Sequence, residues 1–172
     1  MTSLLFRLGA GACLLLLISG CAGYKLGPTN GQRSGARSVQ INPFENKTIE
    51  PRLLEAISYA LRKELQQDGT FRLDTHNEGD LIVSGTILKF ERSAVSVRAN
   101  DALSPLDLRI TIHARVLARE RLSGKVVLDR EVRGQTEVRS STDLVSAERQ
   151  AVPLAMQELA RSATALLVDG TW

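Results

Sequence analysis

Beyond position 21 this chain has no cysteine, because Cys13 and Cys21 are its only two in 172 residues. Neither a disulfide framework nor a thiolate metal site can form in the body of the protein. Aromatics are scarce too, with one Trp, two Tyr and four Phe. Leu, Val, Ile and Ala must therefore fill the core, and no stacking platform for nucleobases or sugars is available. A surplus of one charge is also missing: 22 basic against 19 acidic residues leave a net of +3, too balanced for duplex binding by charge alone. Only His76 and His113 could act as imidazole bases, and neither sits in HExxH or HxH spacing. GxSxG, the P-loop and GxGxxG are all absent. Acids such as Asp129 and Glu131 read most simply as charge partners on an exposed strand face. These gaps weigh against an enzyme, and no catalytic residue, metal or cofactor is expected. With 43% apolar and 24% charged residues, the composition fits one globular domain with one core.

Residues 1–20 contain the parts of a secretory signal: Arg7, an apolar stretch from Leu8 to Ile18, and the small residues Ser19 and Gly20. That stretch is too short for a permanent span, which needs about 20 apolar residues. Leu17-Ile18-Ser19-Gly20 ahead of Cys21 resembles the bacterial lipobox. The resemblance implies cleavage before Cys21, diacylglyceryl transfer to its thiol and acylation of the new amine. Two acyl chains already anchor stably at about 0.8 kcal/mol per buried methylene. Cys21 is followed by Ala22 and Gly23 rather than aspartate, a pattern compatible with sorting to the outer membrane.

Three segments are expected: 1–20 the signal, 21–36 an acylated N-terminus and flexible tether rich in Gly, Ser, Thr, Asn and Pro, and 37–172 the folded domain. Val39 and Ile41 alternate with polar residues in a short strand that Pro43 ends. Thr48 is read as a cap and Pro51 as a first-turn residue of an amphipathic helix over 51–67, closed by Asp68-Gly69. Phe71 and Leu73 form a brief extended piece, and 77–80 is a turn. A strand over 81–97 slips in alternation near 88–90, as a bulge would make it. In 106–119 every even position from Leu106 to Ala118 is apolar, the pattern of a sheet with one covered face. Residues 125–139 place Val126, Leu128, Val132 and Val138 on even positions as well. Ser141-Thr142-Asp143 caps a second helix running to about Asp169, its stripe formed by Leu144, Ala147, Ala151, Leu154, Ala155, Leu159, Ala163 and Leu166, with a kink or break expected at Pro153. The expected fold is α+β: a two-layer sandwich, two helices packed on one face of a four-stranded, largely antiparallel sheet.

Three stretches carry a family resemblance: Gly20-Cys21-Ala22-Gly23-Tyr24-Lys25-Leu26, the run from Val39 to Thr48 (VQINPFENKT), and Gly79 to Ile87 (GDLIVSGTI). They resemble the lipopolysaccharide-assembly lipoproteins of the LptE type. The resemblance implies a non-enzymatic outer-membrane lipoprotein, anchored on the periplasmic side, that plugs and helps assemble a β-barrel lipopolysaccharide translocon subunit (LptD-like) and binds lipopolysaccharide. The alternative is a lipoprotein that activates a peptidoglycan synthase or scaffolds another envelope complex. Nucleic acid is not an expected partner.

Residues 86–139 hold nine Arg and two Lys against seven acids, a net of +4. Arginine forks pair bidentately with phosphate. If 106–119 and 125–139 form a hairpin with apolar residues on one face, opposed residues have an even number sum. A loop at 121–123 then sets Ala118 against Val126, Val116 against Leu128 and Ile112 against Val132. On the other face Arg115 meets Asp129 and His113 meets Glu131, whereas Arg119 faces Lys125 beside Arg121, and Arg109 faces Gln135 near Arg133. Opposed like charges are destabilising. Arg119, Arg121 and Lys125, then Arg109 and Arg133, are therefore the expected lipid-phosphate ligands, and Arg115 is expected to be structural.

Overall fold

A computed structural model describes residues 34–98, 101–139 and 144–170, with side chains given for all of these except 97, 98 and 101–106. The signal segment, Cys21, most of the tether and the cap at 141–143 lie outside the described residues. Strand β1 (Arg37–Ile41) and the two-residue β2 (Glu45–Asn46) lead into helix α1 (Leu53–Asp68). Then come β3 (Phe71–Asp74), β4 (Leu81–Arg98), β5 (Asp101–Glu120), β6 (Val126–Arg139) and helix α2 (Leu144–Asp169). The sheet runs β3-β1-β4-β5-β6, with β2 also paired to β4.

The expected four-stranded, largely antiparallel sheet is corrected to a mixed sheet of six strands among the described residues. The long β4, β5 and β6 are antiparallel, but β1 is parallel to both β3 and β4, and β2 is parallel to β4. Helix α1 is the reason: a crossover helix returns the chain to the end where β1 began, so β3 must run in the same direction. The α+β class and the placement of both helices against one face hold. Even positions of β5, from Leu108 to Ala118, are all buried, and they share one cluster with Leu81, Val83 and Ile87 of β4 and with Ile57, Leu61 and Leu65 of α1 and Ala155, Leu159 and Ala163 of α2.

Local chemistry explains the boundaries. Gly69 ends α1 in the left-handed region at φ 73°, its N–H donating to the Leu65 carbonyl, as only glycine does without strain. Thr48 is not the cap expected of it. Asn46 Oδ1 accepts from both the Thr48 N–H (2.9 Å) and hydroxyl (2.8 Å), and Thr48 Oγ1 accepts from Glu50 N–H (3.2 Å), folding 46–50 into its own turn. Helix α1 starts after Arg52, which makes no side-chain cap. The expected slip in β4 is present as a register shift between Ile87 and Lys89.

Helix α2 runs through Pro153 without division. Part of its expected stripe is corrected: Leu144, Leu154 and Leu166 are exposed, whereas Met156, Ala160, Leu167 and Val168 are buried beside Ala147, Ala151, Ala155, Leu159 and Ala163. The helix lies so near β6 that a Cβ on Gly134 would stand 2.0 Å from the Ala155 carbonyl oxygen.

Candidate functional site

With the helices on one face, the open face carries the polar half of every long strand. Ile82, Ser84 and Thr86 of β4 lie beside Arg119, Leu117 and Arg115 of β5. On β6, Asp129 lies beside Leu117, Glu131 beside Arg115, Arg133 beside His113 and Glu137 beside Arg109. The hairpin register differs from the expected one by two residues, Ala118 facing Leu128 and Ile112 facing Gly134. Its loop has four residues rather than three: Glu120 N–H donates to Lys125 O (2.9 Å) and Gly124, at φ 68°, donates to Glu120 O (2.9 Å). A bulge between Ala118 and Arg119 then restores even parity. Parity fixes the face but not the partner, so both arrangements bury the same side chains from Leu128 onward. At the bulge itself the expectation is corrected, because Val126, expected inward opposite Ala118, is exposed and Val127 packs against the core in its place.

That shift decides which arginines are free. Arg109 faces Glu137 rather than Gln135 and bonds it through Nε (2.8 Å) and Nη2 (2.5 Å). Arg121 points back into the fold: Nε donates to the Gly79 carbonyl (2.8 Å), and Nη2 to Gln40 Oε1 (2.6 Å) and the Asn77 carbonyl. Both were expected as phosphate ligands, and both are occupied within the chain. Arg115 holds Asp129 through two bonds of 2.6 Å, diagonally across the strands. Its hydrogen bond is the main reason that the Asp129 carboxyl stays below its ordinary range. His113 contacts Glu91 through Nε2 (3.3 Å) and Glu131 through Nδ1 (3.5 Å), as a surface residue between two acids.

Arg119 and Lys125 are exposed and form no ion pair among the described residues. Arg119 lines a groove of about 420 Å³, together with Ser84, Thr86, Arg115 and Leu117 and the acids Glu45 and Asp129. Arg133 lies further along β6, outside this groove. Sequence reasoning missed the groove's β4 side, Ser84 and Thr86, because polar residues on an alternating strand carry no mark of which strand lies next to them.

The tip is braced from behind. Arg37 Nη2 donates to Glu120 Oε1 (2.8 Å), Ser123 Oγ donates to Glu120 Oε2 (2.6 Å), and Arg121 N–H donates to Asp80 O (2.8 Å). Asp80 Oδ2 accepts from both Ser38 N–H (2.7 Å) and Ser38 Oγ (2.8 Å). Those two bonds, the backbone one foremost, lower the Asp80 pKa. The result is a cationic rim on a held hairpin, beside an open groove. Among the described residues, no three His, Cys, Asp or Glu side chains gather as a metal site would require.

A family model described as LptE, lipopolysaccharide-assembly, matches residues 36–167. No curated protein matches the sequence. Among solved structures, protein XCC0632 from Xanthomonas campestris has TM-score 0.61 at 10% identity, covering 84% of this chain and 90% of its own. Protein CT253 from Chlamydia trachomatis has TM-score 0.57 at 13% identity, covering 77% and 96%. A minor lipoprotein from Acinetobacter baumannii has TM-score 0.51 at 10% identity, covering 77% and 92%. At such identities these structures share the fold.

Proposed function

The chain belongs to the LptE lipopolysaccharide-assembly family, and from that premise we propose that it is a lipid-anchored outer-membrane subunit that helps assemble and plug a β-barrel lipopolysaccharide translocon and binds lipopolysaccharide. The anchor is the acylated Cys21, residues 21–36 are the tether, and residues 37–172 act on the periplasmic side. Catalysis has no part in this reading.

The observation that carries the binding role is the pair Arg119 and Lys125, two exposed cations that form no ion pair among the described residues, on a braced hairpin tip, one of them lining an open groove. A phosphate can pair with both, and the arginine fork suits it. Arg109 and Arg121 are removed from the ligand set because acids and carbonyls already hold them, while Arg115 shapes the groove through Asp129.

The test is Arg119→Glu with Lys125→Glu in the purified protein. Both side chains are exposed and neither packs in the core, so the melting temperature is expected to hold while lipopolysaccharide binding weakens. Wild-type binding by the folded double variant would refute the assignment. Co-purification from outer membranes separates the two roles considered above: a large β-barrel supports translocon assembly, and a peptidoglycan synthase supports the alternative.

A further inference from the structure

The helix layer carries a second concave surface, remote from the open sheet face. A trough of about 480 Å³ follows the seam between α1 and α2 past Ala56, Tyr59, Ala60 and Pro153. It meets a second hollow of about 440 Å³ at the shared residues Arg52, Ala56 and Pro153, walled there by Phe90 and Val152. Tyr59 in the first hollow is 71% exposed and Val145 in the second is 64% exposed, so this side of the molecule shows apolar side chains to solvent that the core does not need. From Arg52 to Lys63 the seam is about 16 Å long at 1.5 Å per residue.

The rim is cationic. Arg52, Lys63 and Arg149 border the two hollows and make no ion pair among the described residues. Of the acids there, Glu50 and Glu148 share the single Arg92 guanidinium, at 2.6 Å each, and Glu55 is the third, so that Arg52, Lys63, Arg149 and Arg92 exceed the three acids by one charge. The Arg92 guanidinium also lies 4.4 Å from the centre of the Phe90 ring.

We propose that this trough seats one acyl tail of an anionic glycerophospholipid, the tail along Ala56 and Tyr59 and the phosphate against Arg52 and Arg149. Three features select this occupant. The accessible lining of the trough is mainly apolar, and Gln157 is directed at Glu64 (3.3 Å), so the trough offers few partners to the N–H and C=O groups of an extended peptide. An alkyl tail has no such groups. The unbalanced charge of the rim matches a phosphate, and the hollow has room for a single tail rather than the several tails of lipopolysaccharide. This site is separate from the sheet-face groove and does not depend on it.

The test uses the full chain carrying Trp172→Phe, with Tyr59→Trp as a reporter, and two probes: monomeric short-tailed phosphatidylglycerol brominated on one tail, and the matching phosphatidylcholine. Saturable quenching by phosphatidylglycerol, several-fold weaker with phosphatidylcholine, is expected. Ala56→Phe, which fills the trough, should abolish it. Arg52→Glu with Arg149→Glu, both exposed, should remove the preference for the anionic lipid without unfolding the chain. Arg119→Glu with Lys125→Glu should leave the quenching unchanged, so that failure here and failure of the lipopolysaccharide reading are distinguishable. Absence of saturable quenching, equal response to the two lipids, or quenching that survives both trough variants would overturn the proposal.

Discussion

Replacing Arg121 with alanine tests whether this residue is a clamp or a ligand. Its guanidinium ties the hairpin tip to the Gly79 carbonyl, the Asn77 carbonyl and Gln40 Oε1, and Gln40 is only 7% exposed. A hydrogen bond from a charged donor contributes about 1.5 to 3 kcal/mol, but bonds made by one side chain do not add in full, and the two carbonyls can turn to water. The buried amide oxygen of Gln40 cannot do so easily. We therefore expect Arg121→Ala to cost about 2 kcal/mol, which for a domain of this size lowers the melting temperature by roughly 6 to 10 °C. Urea unfolding followed by circular dichroism should show an earlier midpoint at an unchanged slope. Arg121→Lys should recover little, because an ammonium cannot place donors on three acceptors in the plane of a fork. A wild-type midpoint combined with lost lipopolysaccharide binding would refute the clamp and return Arg121 to the ligand set.

Gly134→Ala should destabilise by about 1 to 3 kcal/mol or more, since its Cβ would stand 2.0 Å from the Ala155 carbonyl oxygen and α2 would have to lift from β6; a neutral effect in thermal unfolding would contradict the packing described. Asp80 has a lowered pKa because Ser38 donates two hydrogen bonds to it, so its contribution to stability is complete above the ordinary carboxylate range and is lost as pH falls through and below it. Asp80→Asn should therefore flatten the acid limb of the stability–pH curve, and a limb as steep as wild type would count against this role. Cys21→Ser should yield an uncleaved, mislocalised protein by mass spectrometry of the N-terminal peptide, and a processed, membrane-bound variant would remove the anchor from the account.

The covered face of the sheet was legible in the sequence because six consecutive even positions, Leu108 to Ala118, leave no other way to bury them. Gly69 was legible for a similar reason: it ends α1 in the left-handed region, where other residues are strained. The parallel strands were not. β2 has two residues and β3 four, too short for a period, and parallel neighbours are joined by a helix rather than a turn whose residues could announce the pairing. The helix stripe was partly misread because Leu144, Leu154 and Leu166 are apolar without being inward, and alanines do much of the packing where α2 approaches Gly134. For the site, composition located the arginines on the correct strands, while a two-residue change of register decided which of them had an acid opposite. Arg109 gained Glu137, and Arg119 was left with Val126. Arg121 escaped the reading because its acceptors are two backbone carbonyls and an amide oxygen, groups that every turn possesses.

The most direct test of the account is site-specific photocrosslinking in living cells from Arg119, compared with the exposed Gln66 at the far end of α1. A lipopolysaccharide adduct is expected from position 119 and not from position 66, together with a β-barrel polypeptide identified among the crosslinks of the anchored protein. Equal lipopolysaccharide labelling at both positions, or none at 119 in a chain that is exported and folded, would contradict it.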